Sequence, residues 1–384
     1  DLEILEKIYA NSVLLGDDGP GGWGVKYATE FHMTDDSKLF PPRPQWEAKG
    51  YRPDEYSRWL LGKWRPVEEL WVELGVDPDH AVQSEIELED WLFDATAGPE
   101  RRVAEARFVH GHLLKPGDVA HTSWRLRCAQ PPYDALPIPR ADIPAGIVLS
   151  READAWIRED EVEDVALPLY QGPMVGILDA CRKRWLSGTG LAAKWEGIPH
   201  THKMLDSQFL MRQTVWLESR PTNCSRIGFR AVARATEART MTAAVLADSP
   251  AGNSVATLRT DSYEHAHALT VLLDSLVFDW LLRTRVVGPN LNWFLLEECA
   301  APVLAQGLRE ATECSVLATL TAPVFSTQAV RLAAYWSSSK LLLTERARSA
   351  RRARVDAIAA LYFGMDVGAF RYVLQSVDLP RERL

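Results

Sequence analysis

The chain has 384 residues, of which 47% are hydrophobic and 25% charged, with a formal net charge of −9. Those proportions exclude wholesale disorder, and the length suffices for roughly two or three domains around a sizeable core. No run of about 18 apolar residues occurs; the most apolar stretch, 266–282, is broken by His267, Asp274 and Asp279, which speaks against a membrane span.

In chain order, the first residues lack the basic region and apolar stretch of a signal peptide. With no initiator Met, the chain reads as a piece of a longer protein. Residues 1–15 read as a helix followed by the apolar stretch Ser12-Val13-Leu14-Leu15, then a glycine-rich loop over 16–24. Residues 26–66 concentrate Pro, Tyr and Trp and read as an irregular segment packed by its own aromatics. The acidic excess lies over 68–105, where Glu85, Glu87, Glu89 and Asp90 read as a solvated helix face. Short alternating segments from 106 to 166, beginning at Arg107 and Val119, predict strands and loops. An acidic break over 159–164 predicts a domain boundary near it. Region 167–260 reads as strand-rich, with strands expected over 215–217, 225–232 and 240–246 and a turn over 248–253. The clearest helix covers 262–285: Ser262 can cap it, and apolar residues on most sides predict burial. Residues 296–312 and 328–349 are helical by pattern, and a last helical pair, 352–363 and 367–377, joins at Gly364.

Five widely spaced cysteines without a Cys-x-x-Cys argue against a disulfide framework or structural zinc, and point to a reducing cytoplasm. Gly19-Pro-Gly-Gly-Trp-Gly24 has the spacing of a phosphate-cradling loop. However, Pro20 lacks an N–H, Asp17 and Asp18 would repel a pyrophosphate, and no helix follows, so it reads as a structural turn. Gln130-Pro-Pro-Tyr133 is similar to the tetrapeptide with which amino-group DNA methyltransferases hold a flipped base. Its first residue departs from that pattern, and a proline-rich turn is the better reading. Asp35 or Asp36 with Glu47-Ala48-Lys49 has the order of a Mg²⁺-dependent nuclease site, two carboxylates for the metal and a Lys to position water. Three His-x-His pairs, His110/His112, His200/His202 and His265/His267, lack a third ligand at a convincing spacing.

The most informative feature is a division of charge. Residues 1–170 carry 18 Lys/Arg against 33 Asp/Glu, whereas residues 181–240 carry 11 against 4. Aromatics interleave with this basic zone, notably Trp185, Trp195, Trp216 and Phe229. Lys and Arg can neutralise phosphates, and Arg and Asn can read base edges. The zone therefore suits an anionic partner such as double-stranded DNA. The bland counterpart is a strand-rich domain with basic outward faces.

Several stretches, in order along the chain, resemble large adenine-specific DNA methyltransferases of the fused Type II restriction–modification and phage-defence kind. Residues 22–40, Gly-Trp-Gly-Val-Lys-Tyr through Asp-Asp-Ser-Lys-Leu-Phe, match one such stretch. Residues 166–179 look like the opening of the target-recognition region, 226–246 like its central strands, and 273–283 with 290–294 like the helix and loop after them. Residues 352–374 resemble the terminal helical pair. Departures occur at His32, where the pattern usually has Asp, and at Gln171-Gly-Pro, where Glu-Gly-Lys is commoner; the second removes one possible phosphate contact.

The resemblance implies the specificity part of such an enzyme, binding double-stranded DNA beside a fused or separate methyltransferase catalytic domain. S-adenosylmethionine would then belong to that catalytic domain, with no cofactor, metal or catalytic residue in this chain. Lys183, Arg184, Lys194 and Lys203 are expected phosphate contacts, Trp195 a wedge or stacking group, and Arg226, Arg230 and Arg239 DNA contacts on or beside paired strands, with a structural role holding loops the equal alternative for Arg230 and Arg239. The alternatives are a Mg²⁺-dependent nuclease using Asp36, Glu47 and Lys49, or a non-catalytic interaction subunit docking through its acidic half. The fold class expected is α+β, with a mixed, strand-rich recognition region flanked by helical segments and a helical C-terminal subdomain. The expected divisions are 1–165, 166–305 and 306–384.

Overall fold

A computed structural model describes residues 2–75, 100–102, 107–109, 112–114, 119–121, 143–200, 202–220, 225–233, 239–303, 308–336 and 340–376. The chain is α+β: helices and several small antiparallel sheets occur together, and the described C-terminal part is mainly helical.

The centre is a four-stranded antiparallel sheet, ordered Ala243–Val245, Ser225–Arg230, Val255–Thr260 and Lys26–Ala28. The 225–232 and 240–246 expectations thus fall on real strands. The fourth strand comes from near the start of the chain, which no local pattern indicates. Ile227, Phe229, Val245 and Leu258 join Leu269, Leu272 and Phe278 from the helices behind, Ile358 from the last long helix and Phe363 just after it, in one buried core. Burial of such side chains stabilises by about 1.5–3 kcal/mol each.

The 262–285 helix is two helices, Tyr263–Leu273 and Leu276–Arg283, bent by 63° at the break. Ser262 does cap the first, accepting the His265 N–H at 3.1 Å. Ser275 caps the second, accepting from Phe278 N–H at 3.2 Å. A second capping serine inside an apolar run is what divides it. Among the described residues no single helix is long and apolar enough to cross a membrane.

Other expectations are revised. Val215-Trp-Leu is helical, within Gln213–Ser219, because a single helical turn lets Trp216 reach Phe31 while Leu217 stays exposed. The 296–312 segment is not one helix: it begins at the end of the short helix Trp293–Leu296, holds a strand, Ala300–Pro302, that pairs with Ser12–Leu14, and runs into the helix Arg309–Thr319. Within 328–349 helix Ser326–Arg331 is followed by the 3-10 turn Ala333–Tyr335. The last pair is Glu345–Tyr362 and Val367–Ser376; Gly364, at φ +66°, makes the turn between them, a conformation open to glycine without strain.

The acidic break does not interrupt the structure. Strand Val162–Pro168 runs through the expected 165/166 division and sits between Trp59–Gly62 and Leu210–Arg212 in a second sheet. Asp164 is tied into this sheet by the Tyr51 hydroxyl, which donates to it at 2.6 Å. The 305/306 division lies outside the described residues, as do Glu85, Glu87, Glu89, Asp90, His110 and Gln130–Tyr133.

Candidate nucleic-acid interface

Lys183–Ser187 and Lys194–Gly197 pair as an antiparallel hairpin. Trp185 lies opposite Trp195 and Arg184 opposite Glu196, so the two pairs occupy opposite faces of the ribbon. The tryptophan face turns inward. Trp185 is buried, and half-buried Trp195 packs on a core cluster that includes Tyr170, Met174 and Leu205. The other face is open: Arg184 and Glu196, paired at 2.5 Å, keep 43% and 47% of their side chains exposed.

The base of the hairpin is braced from the N-terminal region. The Arg43 guanidinium stacks over Trp185 at 4.6 Å and pairs with Asp206 at 2.7 Å. Arg151 pairs with the same carboxylate at 3.1 Å, and Trp185 N–H donates to the Asp206 carbonyl at 3.2 Å. Beyond this base, residues 186–192 are all exposed, and Leu191 is fully so.

The eight residues expected to bind DNA do not form one surface. Lys183, Arg184 and Lys194 gather on the hairpin; among the described residues neither lysine has an ion-pair partner. Trp195 is on the same hairpin but faces the body, which corrects its assignment as a wedge. Lys203 is buried, with its ammonium 2.6 Å from Asp179 and donating to the Cys181 carbonyl at 3.1 Å. Burial pushes the Asp179 carboxyl up, but Lys203 and Arg348 outweigh it and hold the group below its ordinary value.

Arg226 is also internal. It donates to both oxygens of Glu30 at 2.9 Å and to the carbonyls of Ala247 and Ser249 at 2.7 and 2.8 Å, with its guanidinium 4.6 Å from the Trp216 ring. Arg239 donates to the Asp274 carbonyl at 3.2 Å and lies 3.5 Å from the Asp356 carboxylate. Lys203, Arg226 and Arg239 are therefore structural cations, a correction with a simple cause. A buried charge is tolerated only when paired and hydrogen-bonded, and these groups meet that condition inside the fold. Arg230 ends its strand half-buried, its backbone N–H on the Thr242 carbonyl at 3.1 Å.

Three buried carboxylates went unassigned in the sequence. Asp274 accepts the N–H groups of Leu178 and Ala243, each at 2.8 Å; Asp279 accepts those of Thr240 and Met241; Asp356 accepts that of Leu276. Burial raises Asp274 well above the usual carboxylate range, although its two N–H donors pull the other way. Burial likewise raises Asp356 against the pull of Arg239. Together they staple the loop before Ala243–Val245 to three helices. Asp274 and Asp279 interrupting an apolar run was the available signal.

The nuclease residues each contact other groups. Asp36 accepts the His32 N–H at 2.8 Å, Glu47 lies 3.3 Å from Arg43, and the Lys49 ammonium lies 5.7 Å from the Trp46 ring. No group of three or more His, Cys, Asp or Glu suited to a metal occurs among the described residues. His200 pairs with Glu345 at 2.9 Å, and His267 is buried with Nδ1 2.8 Å from the Ser315 hydroxyl. The glycine-rich loop leads into strand Lys26–Ala28 and is tethered by the Trp23 indole N–H, which donates to the Pro302 carbonyl at 2.8 Å. With Asp17 and Asp18 in it and no helix behind it, the loop does not fit a pyrophosphate.

No protein-family model, curated protein or solved structure matches this chain.

Proposed function

We propose that the chain is the double-stranded-DNA specificity part of an adenine-specific DNA methyltransferase or restriction–modification, phage-defence protein. The observation that carries this reading is the hairpin: half-buried Lys183 and exposed Lys194, without ion-pair partners among the described residues, and half-exposed Arg184, paired with Glu196, stand on one ribbon. A two-stranded ribbon has the width to enter the major groove. Its three basic residues against one acidic contrast with the acidic first half of the chain, which would be repelled by DNA and so orient the hairpin toward it.

A second feature agrees. The stretches that resemble the methyltransferase family meet in the interior: Glu30 from 22–40 holds Arg226 from 226–246, and Asp274 from 273–283 holds Leu178 from 166–179. The hairpin lies between two of these stretches and outside both. Framework residues would then be shared across such proteins, and the hairpin would differ with the DNA site. Recognition would hold the duplex while a fused or separate catalytic domain, carrying S-adenosylmethionine, acts on an adenine turned out of the stack.

The test is binding to a fluorescently labelled duplex across a salt series. The intact chain is expected to lose affinity steeply, with a log–log slope of about −0.9 per neutralised phosphate. The pair Lys183→Ala/Lys194→Ala should bind more weakly at every salt concentration and flatten the slope by about two. A flat response of the intact chain, or an unchanged slope in the double variant, overturns the reading.

A further inference from the structure

The phosphate contacts leave the tip of the hairpin without a role. Leu191 is fully exposed there, and Leu186 on the approaching strand is 46% exposed. Single exposed leucines are common, so exposure alone carries nothing. The way this one is presented does.

The tip is a preformed point. Gly188 and Gly190 have φ values of +79° and +54°, turning the chain sharply just before Leu191. A Cβ at Gly188 would stand 2.3 Å from the Ala192 carbonyl oxygen, so the turn closes too tightly for any side chain there. The Gly188 carbonyl accepts two N–H donors from outside the turn, the Trp185 indole at 2.9 Å and the Gln208 amide at 3.1 Å. Trp185 is in turn held under Arg43. Residues 187–193 carry no charge; Lys194 follows them directly, opposite Ser187, and Arg184 and Lys183 lie farther down the other strand toward the base. An apolar point with cations set back on both sides complements a surface that is apolar within and anionic at its rim. In duplex DNA the stacked bases and the flanking phosphates have that arrangement.

We propose, resting on the DNA reading above, that Leu191 enters the duplex as a wedge between base pairs while Lys183 and Lys194 hold the adjacent phosphates. The wedge partly unstacks one step, kinks and unwinds the duplex there, and lowers the cost of turning a neighbouring base outward.

Wedge insertion unwinds the helix, so it changes the linking number of a closed circular plasmid relaxed by a topoisomerase in the presence of the protein. The full chain is expected to shift the topoisomer distribution in proportion to the amount bound. Leu191→Ala, a change at a fully exposed position, should bind the plasmid with the same salt slope and shift it several-fold less per bound molecule. Lys183→Ala/Lys194→Ala should need more protein for equal occupancy and then give the full shift. A full chain that binds without any shift, or a Leu191→Ala variant that shifts as strongly as the intact chain, overturns the wedge and leaves DNA binding standing. A full chain that does not bind the plasmid at low salt overturns both.

Discussion

Arg226 and Lys183 are both cations of the same basic zone, and their surroundings separate them. Arg226 and Glu30 retain 6% and 3% of their side-chain exposure, and every donor of that guanidinium named above points at a protein oxygen. Removing one partner leaves the other charged and dry, which costs about 3–5 kcal/mol. Arg226→Met should therefore lower the midpoint of urea unfolding sharply, whereas Lys183→Met should leave it within about 0.5 kcal/mol and weaken only DNA binding. Equal unfolding midpoints for the two variants would show that Arg226 is not a structural cation. Each sits in a strand, and what separates them is Glu30, which reaches Arg226 from a distant part of the chain.

At the scale of elements, the hairpin depends on parts far from it in sequence. Two strands alone are marginal in water, and among the described residues this pair has no neighbouring strand. Its support is Trp195 on the core and Arg43 over Trp185, with Asp206 joining Arg43 to Arg151. Arg43→Ala should thus loosen the hairpin without unfolding the chain. The expected signs are amide exchange that quickens more over 183–197 than in the central sheet, and several-fold weaker duplex binding under conditions where the variant is still folded. Unchanged exchange over the hairpin in that variant would remove Arg43 from this role. Some elements were legible locally: Ser262 and Gly364 mark a helix start and a helix turn by their own chemistry, and both do so in the fold. Residues 215–217 were not, because a three-residue apolar run suits a strand or a helical turn equally, and the demand of Trp216 for the pocket beside Phe31 decided it.

For the whole molecule, the packing of Tyr263–Leu273 against Arg309–Thr319 encloses His267. Burial drives its pKa down to about 3, although the neighbouring Gln328 side chain acts to raise it. The folded state thus keeps this imidazole neutral where the unfolded chain would protonate it near pH 6.5. Stability from this group is complete above that pH and falls as pH drops below it, by about 1.4 kcal/mol per unit, until about pH 3. Between pH 7 and pH 5 the loss should be about 2 kcal/mol, and the difference between the intact chain and His267→Gln isolates it from other groups. Asp274 and Asp356 act with the opposite sign: their raised values make stability fall as pH rises through the carboxylate range. Parallel pH profiles for the two proteins would show that His267 is not held neutral.

Composition, charge division and the periodicity of the apolar residues determined the α+β class, the central strands, the buried helical segment and the existence of a basic zone, because each depends on neighbours within a few residues. Which basic residues face solvent was decided only when the chain closed on itself. Arg226 finds Glu30 from 196 positions away, and Lys203 finds Asp179 across the turn at the hairpin's base. A side chain's charge is written in the sequence, but whether a carboxylate or water surrounds it depends on which distant segments share its core. That is why the same count of cations yields a hairpin open to a partner and an interior already neutralised.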